Sequence, residues 1–150
     1  MDNHSKPTNE STRQDSPLPL SQSFRIQWQY LQDEAQNDKT HAKRVFQEFL
    51  QLVESKYRQH HSPKFYADKL CMSRSNLRKI CKQTSGFTPS HCICIRLMLD
   101  AYGLLNDPHR TIKEIAIELG FEDQKYFSKF FKKKSGLSPD SYRRLVLEAN

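Results

Sequence analysis

FKKKSGLSPD (131–140) is an altered copy of CKQTSGFTPS (81–90). Lys132, Ser135, Gly136 and Pro139 each stand fifty positions after Lys82, Ser85, Gly86 and Pro89. A repeat of that period marks a unit of architecture, because each copy is one supersecondary element that packs against the next. Both strings also share a local grammar. A polar, cation-rich stretch runs into glycine, the residue that most easily takes the left-handed conformation closing a helix. Ser/Thr-Pro follows, an N-cap with proline at the first helical position, where its missing N–H costs nothing. Each string therefore ends one helix and launches another.

Reading outward, helical periodicity dominates from residue 42 onward. Val45, Phe46, Phe49, Leu52, Val53 and Tyr57 form an apolar stripe that stops before the polar RQHH (58–61). Ser62-Pro63 opens a helix to about residue 70, and Ser73 caps a second one from Arg74 to about Thr84. The Thr88-Pro89 helix runs to about Leu105, where Asn106-Asp107-Pro108 stops it. Thr111 with Glu114 makes a capping box for a helix to Leu119. Asp123 caps the next, to about Lys134, and Ser138-Pro139 begins the last. Two helices joined by a tight turn, twice over, is a duplicated helix-turn-helix. Leu70 to Leu77 spans seven positions and Leu119 to Phe127 eight, so the second turn carries one extra residue. The fold expected is all-α, with about seven helices and a long linker helix between the two units.

The N-terminal part is different. Residues 1–22 are polar, rich in Ser, Pro and Asn, and are expected to be disordered. In FRIQWQY (24–30), Phe24, Ile26, Trp28 and Tyr30 alternate as a strand would, while Phe24, Trp28, Leu31 and Ala35 fit a helical stripe. No other segment alternates, so a strand would lack a partner, and a short helix is expected. The expected division is 1–40 as a disordered or partly helical extension and 41–150 as the double helix-turn-helix domain.

Charge follows the same division. The first 40 residues hold four Lys/Arg and six Asp/Glu, and the rest hold twenty and eleven. The whole excess of positive charge thus lies in the repeat region, as expected for a partner that is acidic or carries phosphates. The N-terminus has no apolar stretch behind a basic start, and no apolar run approaches the ~20 residues of a membrane helix. Cys71, Cys81, Cys92 and Cys94 lack any zinc-ligand spacing and read as small core residues in a reducing cytoplasm. His60 and His61 would diverge on a helix, so no metal is expected. No nucleophile motif, Gly-rich phosphate loop or His-Glu-x-x-His occurs, so no catalytic residue and no cofactor are expected.

At the fifty-residue offset the apolar positions of the two second helices coincide as Leu77/Phe127, Ile80/Phe130 and Cys81/Phe131. Their opposite faces carry Arg74/Gln124, Ser75/Lys125, Arg78/Ser128, Lys79/Lys129 and Lys82/Lys132. Lysines late in a helix also suit its dipole. Dipole complementarity does not explain Gln, Ser, Asn and Arg on the N-terminal halves. Those side chains hydrogen-bond base edges in a major groove, and the N-terminal half of a recognition helix is the part that reaches them. The helix at 88–105, roughly 27 Å long, suits holding two such helices about one duplex turn apart. Because the two faces differ, the site read should be asymmetric.

TIKEIAIELGFEDQKYFSKFFKKKSGLSPDSYRR (111–144) resembles the signature of the AraC/XylS transcriptional regulators, through Gly120, Phe121, Asp123, Tyr126, Phe127, Phe131, Lys132, Lys133, Gly136, Ser138, Pro139, Tyr142 and Arg143. The resemblance covers about 42–148, more loosely in the first unit. It implies base contacts at Ser75, Arg78 and Lys79 and at Gln124, Lys125 and Lys129. Arg74, Asn76, Lys82, Tyr126, Ser128, Lys132 and Arg143 are further candidates for contacts to DNA or its phosphates. Cys92 and Leu97 stand where the family's long helix has a tyrosine and a basic residue, with Arg96 adjacent. The first unit is therefore expected to differ in packing or phosphate contacts.

The expected function is sequence-specific, double-stranded DNA binding by a cytoplasmic, nucleoid-associated bacterial transcription regulator, with RNA polymerase as a second partner. The same lysines would also serve a non-sequence-specific architectural or recombination-accessory DNA binder. DNA repair proteins with a metal-bound reactive cysteine share this fold, but the cysteine cluster they need is missing. Forty residues cannot build the ligand-binding β-barrel that the family often places ahead of this domain. No small-molecule effector is therefore expected, and residues 24–57 are left for a protein partner or self-association.

Overall fold

The structure, a computed structural model, describes residues 18–36 and 40–149. Eight helices account for its regular structure: α1 (Leu18–Gln36), α2 (His41–Lys56), α3 (Pro63–Lys69), α4 (Arg74–Ser85), α5 (Pro89–Leu105), α6 (Ile112–Glu118), α7 (Gln124–Ser135) and α8 (Pro139–Ala149). No strand occurs among the described residues. The caps at Ser62, Ser73, Thr88, Thr111 and Asp123 fall where the sequence puts them, and Thr40 adds one it did not show. Thr40, Ser62, Ser73, Thr88, Thr111 and Asp123 each take extended backbone and accept a hydrogen bond from a first-turn N–H. Thr111 and Glu114 complete the capping box.

The two helix-turn-helix corners share one hydrogen-bond pattern. In the second, Phe121 N–H donates to the Ala116 carbonyl at 2.9 Å and Gly120 N–H to Ile117 at 3.0 Å. In the first, Met72 N–H donates to Ala67 at 3.0 Å and Cys71 N–H to Asp68 at 3.1 Å. Both are Schellman closures, whose pivot residue must be left-handed. Gly120 meets that demand with φ +89°, and Cys71 meets it with φ +59°. Cys71 is exposed, which corrects the expectation that all four cysteines are core. The other three are buried, and burial pushes the Cys81 thiol up to about 12 and the Cys94 thiol to about 11. Glu122 is the extra residue before the Asp123 cap, as the unequal leucine spacing requires.

α2, α3 and α4 form the first unit, α6, α7 and α8 the second, and α5 runs between them. The first unit's core is built on Phe46, Phe49 and Tyr66, the second's on Phe127, Phe131 and Tyr142. Cys92 and Leu97 of α5 are buried in the core joining them, which leaves neither free to touch phosphate. Arg96 is also committed. Its guanidinium pairs with Glu54 at 2.9 Å and lies 4.4 Å from the Tyr57 ring.

α1 departs most from expectation. It is a nineteen-residue helix, making eight helices where about seven were expected. Residues 18–22, read as disordered, form its first turns, and the remainder of that expectation, 1–17, lies outside the described residues. Trp28, Leu31 and Ala35 are buried, and Ile26 is 68% exposed, so the helical stripe prevails over the strand-like alternation. Full burial of a side chain such as Leu31 contributes about 1.5–3 kcal/mol. α1 packs on α2, α4 and α5. Tyr30 donates to the Ser85 carbonyl at the end of α4 (2.8 Å), and the Phe24 ring lies 6.0 Å from Tyr102 of α5. The apolar stripes of 24–57, which the sequence left for a partner, are largely taken up by the chain's own core.

Candidate nucleic-acid interface

α4 and α7 are built to the same plan. Each starts at a capped N-terminus, with the Ser73 hydroxyl accepting from Asn76 N–H and the Asp123 carboxylate from Tyr126 N–H, both at 3.0 Å. Each ends at a left-handed glycine, Gly86 at φ +86° and Gly136 at φ +88°. Each has twelve residues, with Leu77, Ile80 and Cys81 buried in one and Phe127 and Phe131 in the other. Phe130 is half-buried beside Phe121, with ring centres 5.2 Å apart.

At 100° per residue, positions 75, 78, 79 and 82 lie opposite the buried face of α4, and 125, 128, 129 and 132 opposite that of α7. The structure exposes all six residues expected to contact bases: Ser75, Arg78, Lys79, Gln124, Lys125 and Lys129. Arg74, Asn76, Lys82, Tyr126 and Lys132 are exposed beside them, and Ser128 is half-buried. None of the cations on these two faces forms an ion pair with another described residue. Four acids are engaged elsewhere, while Asp123 caps α7 itself. Glu34 holds Lys43, Glu54 holds Arg96, and Asp100 and Glu118 hold Arg58. Lys82 donates to the Gly86 carbonyl at 3.3 Å, and the positive charge of α4 and α7 is otherwise left to solvent or to a ligand.

Arg143 is placed otherwise. Its guanidinium donates to the Leu105 and Asp107 carbonyls, each at 3.1 Å, and so ties α8 to the end of α5. That geometry commits two of its three nitrogens to the fold.

A notch of about 270 Å³ opens beside α4, lined by Pro63, Arg74, Ser75, Arg78, Thr88, Pro89 and Ser90. It sets two arginines next to the N-terminus of α5, where the helix dipole favours an anion. Sequence reading missed Thr88 and Ser90 here, because their proximity to Arg74 and Arg78 depends on how α5 leaves the Gly86 turn. A second cleft, about 330 Å³, lies between α5 and α7 and includes His61, Ile93, Leu97, Phe121, Phe130 and Lys134.

An ion-pair network that the sequence did not reveal joins the segment after α2 to α5 and α6. Arg58 holds both oxygens of Asp100, Nε at 2.6 Å and Nη2 at 3.0 Å, and its Nη1 reaches Glu118 at 2.8 Å. Tyr57 donates to Asp100 at 2.6 Å, and Arg110 holds the other Glu118 oxygen. Burial pushes the Asp100 carboxyl up. Hydrogen bonds from Arg58 and Tyr57, with the charges of Arg58 and Arg96, outweigh it and hold the group below its ordinary 3.8. His61 donates through Nε2 to the Leu119 carbonyl at 2.8 Å, and burial lowers its pKa. Among the described residues no group of His, Cys, Asp and Glu could hold a metal ion, and no helix is long and apolar enough to cross a membrane.

Two capped helices presenting polar, cationic faces from a pair of helix-turn-helix units define a DNA-binding domain. Residues 66–145 match the helix-turn-helix domain family of AraC/XylS type, and the chain belongs to that family of DNA-binding transcriptional regulators, which are not enzymes. It is 30% identical over 135 residues to YisR of Bacillus subtilis, an uncharacterized HTH-type transcriptional regulator, covering 89% of this chain and 47% of that one. It is 36% identical over 72 residues to the HTH-type transcriptional activator RhaR of Klebsiella pneumoniae, covering 48% of this chain and 26% of that one. Among solved structures, the C-terminal domain of AraT, a response regulator from Geobacillus stearothermophilus, superposes with a TM-score of 0.64 at 30% identity, over 70% of this chain and 88% of that one. A DNA-binding transcriptional dual regulator of Escherichia coli K-12 shares the fold at a TM-score of 0.59 and 20% identity, over 75% of this chain and 96% of that one. The chain spans about half, or less, of the length of the curated relatives it matches.

Proposed function

We propose that this chain binds double-stranded DNA sequence-specifically and regulates transcription by reading two adjacent major-groove segments of an asymmetric site. One observation carries the reading: α4 and α7 share phase and length yet expose different chemistry, Ser75, Arg78 and Lys79 against Gln124, Lys125 and Lys129. Arginine pairs with guanine O6/N7 and glutamine with adenine N6/N7, so two such helices read unlike sequences. Lys82 and Lys132 sit a turn further along each helix and supply phosphate attraction. The notch at Arg74 and Arg78 adds an anion site at the N-terminus of α5, fitting a backbone phosphate beside the first box. α5 has seventeen residues, about 26 Å of rod between the units.

RNA polymerase is the partner that such a regulator engages while bound beside a promoter, and the cytoplasmic nucleoid is where it would act. Selection from a randomised duplex pool at near-physiological salt tests the reading. Two unlike boxes about one helical turn apart support it. Binding that falls steeply with salt and enriches no motif would favour an architectural protein using the same lysines.

A further inference from the structure

The two reading units touch directly, and not only through α5. The connector from α2 to α3 carries Arg58 and His61 onto the corner between α6 and α7. Arg58 bridges Asp100 of α5 at 2.6 and 3.0 Å and Glu118 of α6 at 2.8 Å. The Arg58 carbonyl oxygen approaches Gly120 so closely that a Cβ there would lie 1.8 Å away. His61 Nε2 donates to Leu119 at 2.8 Å, and its ring centre lies 4.8 Å from that of Phe121. Four successive residues of the second corner, Glu118 to Phe121, are thus held by two residues of the first unit.

We propose that this latch fixes the separation and relative rotation of α4 and α7, which makes Arg58 a positioning residue that sets how strictly the protein discriminates the spacing of its two DNA boxes. The inference rests on the two-box reading above. Inserting one base pair moves the second box by about 3.4 Å and turns it by about 35°. A protein whose units swivelled about the turns at each end of α5 would absorb that change. A fork-shaped guanidinium on two carboxylates, reinforced by a backbone contact with no room for a Cβ, resists it. Arg58 and His61 stand between α2 and α3, outside both reading helices. The latch therefore acts through the placement of the reading helices and touches no base.

The test measures affinity of the full chain for selected sites in which the two boxes are moved apart or together by one and two base pairs. Wild type is expected to lose about tenfold or more per base pair of displacement. Arg58→Met should flatten this profile to within about threefold, while each box keeps its own base preferences. Thermal melting of the same preparation shows that it is folded, and Arg58→Lys, which keeps the charge but loses the fork, serves if Arg58→Met does not fold. A folded variant with the wild-type spacing profile overturns the latch and leaves two-box reading intact. A wild type that selects no second box overturns the two-box reading itself, and the latch with it.

Discussion

The carbonyl oxygen of Arg58 stands 1.8 Å from where a Cβ on Gly120 would lie. Gly86 and Gly136 share the left-handed conformation of Gly120, but no atom lies within 4 Å of their Cβ positions. One substitution therefore separates two costs. Gly86→Ala and Gly136→Ala meet only left-handed strain, about 1–2 kcal/mol each. Gly120→Ala meets the same strain and must also displace backbone, so its loss should exceed about 3 kcal/mol. Urea unfolding of the three variants checks the order, and equal losses at all three positions would contradict the close approach.

Cys71 carries the opposite expectation. It occupies the pivot of the first corner at φ +59°, where the second corner has Gly120. Cys71→Gly removes left-handed strain at an exposed position, and the gain should be about 1 kcal/mol, read as a raised Tm. A lowered Tm would show that the thiol makes a contact that outweighs the strain.

Stability should fall with acid in two stages. Burial lowers the His61 and His91 pKa values below 6.5, helped by the charge of His60 on one and of Lys134 on the other. Between the folded and unfolded values the unfolded chain binds more protons, so their contribution is complete above 6.5 and is lost as pH falls below it. Asp100, held below 3.8 by Arg58 and Tyr57, contributes stability above that value and loses it as pH falls through its folded pKa. Denaturant midpoints from about pH 7.5 downward should show the first loss below about 6.5, and His61→Gln should reduce it.

Lys82 and Lys132 should act without regard to sequence. Each lies beyond the base-reading half of its helix and is exposed. Substitution by Ala should weaken binding to specific and random duplexes alike and reduce the slope of log affinity against log salt by about 1. Salt titrations of the two variants decide it. An unchanged slope would place these ammonium groups away from phosphate.

The parts of this architecture that were legible in the sequence are those encoded by neighbours. A helix cap joins residues two or three positions apart, so Ser73, Thr88, Thr111 and Asp123 could each be placed from a short string. The exposure of Ser75, Arg78, Gln124 and Lys129 followed from helical phase once Leu77 and Phe127 were assigned inward. What escaped is long-range. Arg58 meets Asp100 and Glu118 across 42 and 60 positions, and a charge pair at that distance has no local signature. Arg143 matched the family's string, yet its partners Leu105 and Asp107 are backbone carbonyls 38 and 36 positions earlier. α1 was legible as a short helix from the stripe of Trp28, Leu31 and Ala35, but its full length and its docking escaped, because polar residues such as Gln22, Gln29 and Asp33 cover one face and the apolar ones find their burial only against elements that come later in the chain.

The most direct measurement of the central claim is DNA selection repeated with Arg78→Ala and with Gln124→Ala beside wild type. Arg78 stands on α4 and Gln124 on α7, so the account predicts that each substitution erases preference in a different box. The loss should be about 1–3 kcal/mol of discrimination, with the other box unchanged. If both substitutions degrade the same positions, or neither alters the selected motif, then α4 and α7 do not read separate segments, and the two-box account is wrong.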